Sequence, residues 1–352
     1  MCRGYASNHK KKDKQIIYQY GRTIFLIRFA RESDIEHIMD FIRKYWWRKE
    51  VLLGKDRDFF EYEHLFEEGV TYVISENDEG EIDAILGYIP YGRKHRDIST
   101  VMWRVSNTEN LALGVKLLLF LRNNADVRIL LSPGTKKRET EVICTYLGYY
   151  FGKMTHWYRL NKKEKYVIAK VENPIIPNNY AGKVEFEKLE SWEQLERQFD
   201  FNKYYERNPK PLKESWYIKR RYFHHPVYKY EVFGIKEGLE IKTIFVFRHV
   251  FANGSSMLKF IDCIGDMEKI SKAMPMIDQL LDKYGAEYVD CYETGIADCI
   301  FQKAGWIKTE GSGNIIPNYF EPFEQKNIEI YYITSDSEIV LFRGDGDQDR
   351  PN

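Results

Sequence analysis

The sequence has no surplus of charge of either sign: Lys+Arg and Asp+Glu both number 53. That balance excludes a protein that holds nucleic acid by bulk electrostatics, and leaves room only for a local basic patch. No apolar run approaches the roughly 20 residues that cross a bilayer, so no membrane span is expected. The stretch Met1 to Lys14 is polar and basic with no apolar segment, so it does not read as a secretory signal. Cysteines are few and odd in number: Cys2, Cys144, Cys263, Cys291 and Cys299. They form no CxxC pair and three lie in apolar stretches, the usage of reduced thiols in a cytoplasmic protein and not of a disulfide framework. Zinc spacing, a Walker loop and a Ser-His-Asp elbow are also missing, and no metal is expected.

What is present is a chain of 352 residues, enough for about two domains. Hydrophobic residues make up 43 %, so each half can bury a core. Aromatics reach 15 %, with 26 Tyr. That richness reflects either an AT-rich genome or a cleft lined with flat rings, which suits sugars or nucleotides.

Patterning gives a mixed α/β order. Ile24 to Ala30 is a strand, and Ser33 or Asp34 caps a helix carrying Ile35, Ile38, Met39 and Ile42 at helical spacing. A helix over 59–66, strands over 71–75 and 84–91 around Asp78-Glu79-Gly80, and a strand over 99–105 follow. Then come a helix over 111–122, a strand over 127–131, a helix over 139–146 ending at Gly148, and a strand through Tyr158. The second half repeats this order: strand 184–189, a helix from Ser191, helix 216–223, strands 228–236, 241–250 and 257–263. It continues with helix 267–284, strand 287–292 and helix 296–303, and closes with strands near Tyr319 and over 328–333. Tyr62 matches Tyr217, 155 residues on, and Gly148 matches Gly305, 157 residues on. Two nearly equal offsets point to an internal duplication. The expected layout is an extension over 1–23, a first domain over 24–161, a linker over 162–182, a second domain over 183–335 and a polar tail over 336–352.

Each half resembles the GNAT N-acyltransferase superfamily, on the element order and the helix ends Tyr146-Leu147-Gly148-Tyr149 and Lys303-Ala304-Gly305-Trp306. The chain is also similar to uncharacterised acetyltransferase-like proteins of bacterial surface-polysaccharide gene clusters, on the stretches RDFFEYEHLF, YIKRRYFHHPVYKYEVFGI and FRGDGDQDRPN. The resemblance implies two tandem GNAT-like α/β domains with mixed sheets. It implies transfer of an acyl group from acetyl-CoA or another acyl-CoA to an amino sugar, possibly nucleotide-linked, in the cytoplasm.

In that fold the fourth and fifth strands splay to admit pantetheine, and the pyrophosphate rests on backbone N–H groups at a glycine-rich turn with the pattern (Q/R)-x-x-G-x-(G/A). The first half offers Asn107 to Gly114, with Glu109 where an anion should sit. The second offers Cys263, Ile264, Gly265, Asp266 and Met267, with one glycine, an acidic Asp266 and Glu268 behind it. Either turn reads equally as an ordinary strand-to-helix connection with Asp266 as a cap. Asp262 and Glu293 fall at the ends of the two strands that should splay, as candidate bases, or as caps of the next helices. Tyr319 is the candidate acid for the thiolate and His225 the candidate proton shuttle. Arg220, Arg221 and Tyr292 are candidates for gripping the acceptor. Trp46, Trp47 and the pair His156-Trp157 line either a second cleft or the core of the first half. Asp345 to Asp349 resembles the start of a calcium loop but lacks the distant Glu, and reads as polar tail. Two other readings stay open: a Fem-like transferase that takes its group from charged tRNA, and a non-catalytic scaffold or sugar-binding pair.

Overall fold

The structure is a computed structural model and describes residues 14–20, 23–46, 51–94, 96–107, 110–135, 137–177, 182–346 and 349–351. The backbone separates into two compact units. One is built mainly from residues up to Pro90 and Lys94–Leu130, the other from Tyr91–Arg93 and Leu131–Arg350.

The first unit holds β1 (Gln15–Tyr20), β2 (Thr23–Phe29), α1 (Ile35–Tyr45), α2 (Leu52–Lys55), α3 (Arg57–His64) and the short pair β3 (Leu65–Phe66) and β4 (Gly69–Val70). It continues with β5 (Tyr72–Glu76), β6 (Ile82–Pro90), β7 (Asp97–Val105) and α4 (Leu111–Asn124). The large strands lie antiparallel in the order β1-β2-β5-β6-β7. Helix α1 forms because Ile35, Ile38, Met39, Phe41 and Ile42 fall on one face and are all buried. Its start is fixed by Asp34, which accepts the N–H of Arg31 (2.7 Å) and the guanidinium of Arg28 (2.6 Å). Strand β7 bulges: Ile85 faces Arg104 but Gly87 faces Val101, and Met102 takes φ 50°.

The second unit takes β8 (Ile129–Thr135) from Leu131 onward, then α5 (Lys137–Tyr146), β9 (Tyr150–Lys153), β10 (Thr155–Leu160), β11 (Glu185–Lys188), α6 (Trp192–Gln198) and α7 (Phe201–Glu206). After α8 (Ser215–Ile218) a π-turn carries the chain over Lys219–Phe223. Then follow β12 (Glu231–Glu237), β13 (Glu240–Ala252), β14 (Ser255–Gly265), α9 (Met274–Tyr284), β15 (Tyr288–Thr294), α10 (Asp298–Lys303), β16 (Ile307–Lys308), β17 (Tyr331–Thr334) and β18 (Leu341–Phe342). One sheet runs β11-β12-β13-β14-β15-β10-β16. Its core stacks Trp157 on Phe301 (5.1 Å) and Phe247 on Phe260 (4.8 Å).

The last strands of the two sequence repeats are exchanged. Strand β10, which ends the first repeat, lies between β15 and β16 of the second. Strand β17, near the end of the second, lies between β8 and β9 of the first. The bulge of β7 recurs on β14, where Val246 faces Asp262 but Phe247 faces Phe260, leaving Ile261 over. The two halves therefore share a bulge as well as an element order.

Some elements differ from the sequence expectation. The helix expected over 267–284 is broken into a 3-10 turn over Met267–Lys272 and α9, because Pro275 removes a backbone donor inside it. The strand expected near Tyr319 is an irregular segment with one isolated bridge, Phe320 to Phe323. The tail is not a solvated end: Arg343, Gly344, Asp345 and Asp349 are buried. Its charges find partners on distant strands, which patterning along the chain does not reveal.

Candidate functional site

Strands β14 and β15 run parallel and pair over only Leu258 with Val289, Lys259 with Asp290, and Phe260 with Cys291. Past the bulge at Ile261 they part. The ends freed by this carry Asp262 to Gly265 on one side and Tyr292 to Thr294 on the other. Splaying follows from the bulge, which re-aims one strand while its neighbour runs straight on.

The notch is filled by the chain's own tail. Strand β18 pairs with the freed edge of β15, Phe342 opposite Glu293 and Leu341 opposite Thr294. The next residues make a 3-10 turn over Arg343–Asp345. Phe342 packs 5.8 Å from Phe260. Gly344 lies so close to β14 that a Cβ there would sit 2.9 Å from Ile261 Cγ2 and 3.0 Å from its carbonyl oxygen.

Charge pairs hold this segment in place. Asp345 forms an ion pair with Lys213 Nζ at 2.8 Å, and Arg343 Nη1 donates to Asp290 Oδ1 at 2.7 Å while its other terminal nitrogen reaches Oδ2. The fork drives Asp290 down to about 2, against the burial that would raise it. His156 sits on the same carboxylate at 2.9 Å and stacks on Tyr292 at 3.9 Å. His156 was expected to line a cleft or the core of the first half. The exchange of β10 carries it, with Trp157, into the second unit.

Asp262 is fully buried. Its oxygens accept Lys213 Nζ at 2.7 Å, the Tyr222 hydroxyl at 2.5 Å and the N–H of Cys263 at 2.9 Å. Burial is the main reason its pKa rises to about 6, with Asp345 adding to it. Glu293 is 1 % exposed. It accepts the indole N–H of Trp157 (2.8 Å) and the N–H of Ile296 (3.3 Å), just ahead of α10. Burial pushes its carboxyl up to about 7. Tyr292, buried, donates to the carbonyl of Ile328 at 2.8 Å. Tyr319 is half-buried and lies near enough to Tyr292 to add to the field on its hydroxyl.

The turn from Cys263 to Met267 is already complete without a ligand. Gly265 takes φ 117°, and a Cβ there would lie 2.4 Å from the carbonyl oxygen of Lys242, so the neighbouring strand demands the glycine. Asp266 accepts the N–H of Glu268 at 3.1 Å, the donor a pyrophosphate would use. Cys263 and Ile264 are buried, and Met267 packs against the core. These residues do not fit a pyrophosphate.

Arg220 is half-buried over the Trp216 ring at 5.9 Å. Arg221 is buried and meets Asp349 at 3.3 Å. His225 Nδ1 accepts the N–H groups of Val227 (3.1 Å) and Tyr228 (2.9 Å). Burial, reinforced by Arg221, pushes its pKa down to about 2, so the imidazole is neutral. Trp46 is half-buried after α1 in the first unit, and Trp47 and residues 108–109 of the first turn lie outside the described residues. The second unit thus assembles Asp262, Glu293, Tyr292, Tyr319, Arg221 and His225 on one sheet and its covering segments. Sequence reasoning missed Lys213, Arg248 and Lys259. The one available signal was a lysine inside the apolar strand Met257-Leu258-Lys259-Phe260-Ile261.

A parallel strand pair that parts at a bulge within a mixed sheet, as β14 and β15 do, is the arrangement of the GCN5-related N-acetyltransferase fold. No family model and no curated sequence matches the chain. Solved structures do. A GCN5-related N-acetyltransferase from Anabaena variabilis is similar over 88 % of this chain and 72 % of its own, at 10 % identity and TM-score 0.53. A conserved protein of Enterococcus faecalis, described as a probable N-acyltransferase, is similar over 89 % and 72 %, at 10 % identity and TM-score 0.54. At such identity the likeness establishes the fold. Among the described residues no helix is long and apolar enough to cross a membrane, and no group of His, Cys, Asp and Glu could hold a metal ion.

Proposed function

We propose that the chain is an N-acyltransferase that moves an acyl group, acetyl in the simplest case, from acyl-CoA to the amine of a small acceptor. An amino sugar, free or nucleotide-linked and destined for a surface polysaccharide, is the acceptor class we favour. The observation that carries this reading is the parting of β14 and β15 after Phe260 and Cys291, the feature by which this fold admits an acyl thioester. Glu293, near 7, has the proton affinity of a base at neutral pH. It reaches an acceptor amine only if Leu341–Asp345 leaves the notch. Tyr319 remains the candidate acid and His225 the candidate proton shuttle, with Arg220, Arg221 and Tyr292 on the acceptor.

The filled notch favours a second reading, in which the second half binds an acceptor-like ligand without catalysis. One experiment separates the two. The intact chain is incubated with radiolabelled acetyl-CoA and a panel of free and nucleotide-linked amino sugars, while melting temperature is followed with each ligand alone. Product formation together with a rise in melting temperature on acetyl-CoA supports the transferase. Stabilisation by amino sugars with no response to any acyl-CoA supports the binding protein and sinks the first reading.

A further inference from the structure

Arg248 on β13 and Lys259 on β14 are direct cross-strand partners. Side chains at such positions stand about 5 Å apart, and like charges there repel. Neither is relieved by water: Lys259 is 3 % exposed and the Arg248 side chain 12 %. Arg248 shares the carboxylate of Asp349 (2.9 Å) with Arg221 (3.3 Å) and with the Tyr230 hydroxyl (2.8 Å). Its Nε is buried without a hydrogen-bond partner. Among the described residues Lys259 Nζ has one hydrogen bond, to the carbonyl of Asn318 at 2.9 Å, and no carboxylate within ion-pair distance. The neighbouring Asp290 is taken by Arg343 and His156.

Among the described residues this layer therefore sets the guanidinium groups of Arg221, Arg248 and Arg343 and the Lys259 amine against Asp290 and Asp349, four basic groups to two carboxylates. Arg350 and the exposed Glu321 lie at its edge, felt by His225 and Tyr228. Uncompensated buried charge costs several kcal/mol, and burial with Arg343 and Arg248 drives the Lys259 amine well below its ordinary proton affinity. Rings flank the layer: Arg248 lies 3.8 Å over Tyr228, and Lys259 lies 4.9 Å from the half-buried Phe320. The irregular segment around Asn318 and Phe320 covers Lys259 from outside the sheet.

We infer that Arg248 and Lys259 form a subsite for a phosphate group, which replaces the Asn318 carbonyl on Lys259 and neutralises the surplus of the layer. A phosphate carries close to two negative charges and several acceptor oxygens, matching two adjacent cations better than a single carboxylate does. The inference deepens the proposed function by making the acceptor a phosphate-bearing amine, and rests on that reading only for the word acceptor.

The test uses inorganic phosphate and pyrophosphate, titrated into the intact protein at constant ionic strength, with chloride and acetate as controls. Wild-type protein is expected to gain melting temperature with both phosphate species. Lys259→Met is expected to melt at or above wild type without phosphate, because a buried basic group beside two guanidinium groups is gone, and to bind phosphate at least about tenfold more weakly. Arg248→Gln, which keeps a donor for Asp349, is expected to weaken phosphate similarly. A wild type insensitive to phosphate overturns the inference. So does an acetate response equal to the phosphate response, a Lys259→Met that keeps the full response, or one that melts several degrees lower on its own. Phosphate binding without acyl transfer to any phosphate-bearing amine leaves the subsite standing and counts against the acceptor role. Transfer with no phosphate response does the reverse.

Discussion

Asp345 lies 2.8 Å from Lys213 Nζ, the same ammonium that Asp262 holds with both oxygens at 2.7 Å. One buried lysine thus ties the tail to the end of β14. Replacing it with methionine leaves two buried carboxylates facing each other. We expect Lys213→Met to lose about 3–5 kcal/mol in urea unfolding, and the added change Asp345→Asn to recover part of that. A loss below about 1 kcal/mol would mean the tail is not anchored there.

Glu293 sets a pH dependence. Its carboxyl is raised from 4.5 to about 7, mainly by burial. Between these values the folded chain holds a proton that the unfolded chain has released, so stability falls as pH rises through this window. The full effect is about 3 kcal/mol. Asp262, raised to about 6, acts in the same direction and leaves a smaller slope behind. Glu293→Gln is expected to flatten the stability profile between about pH 5 and 7.5. An unchanged slope would refute the assignment.

Gly295 closes β15 with φ 90°, and a Cβ there would lie 1.8 Å from the carbonyl oxygen of Ile339, on the tail just before β18. Gly295→Ala is both strained and obstructed, and is expected to cost more than about 3 kcal/mol. It is also expected to open the tail to protease before the rest of the unit. Gly238→Ala is the control: its φ is 62° but no atom lies within 4 Å, so it is expected to cost about 1 kcal/mol. Equal effects of the two would show that β18 is not seated on β15.

Local signals carried much of the fold. The apolar stripe of α1, the turn at Gly80 and the glycines after α5 and α10 are short-range features, written into adjacent residues. The helix expected over 267–284 failed for a local reason too, since Pro275 was in view. Pairing partners were not legible. Nothing in Thr155 to Leu160 says that this strand joins the sheet of the other repeat, because an apolar alternation fits any free edge.

The site was legible in its backbone frame and illegible in its chemistry. The resemblance to the GNAT fold placed Asp262 and Glu293 at the ends of two strands that should splay, and β14 and β15 do part there. What lies between them was decided by the tail, whose sequence of Asp, Gly and Arg reads as solvated. The sequence by itself determined the tandem element order, through periodicity and a repeat offset near 156. The tertiary structure alone decided which strands were exchanged, which notch was filled and which cations were left facing each other. Those outcomes depend on pairings that no local pattern announces, from Arg248 opposite Lys259 across one hairpin to Lys213 with Asp345 and Arg343 with His156 across Asp290. Burial turns such charges from solvated ends into the strongest constraints in the second unit.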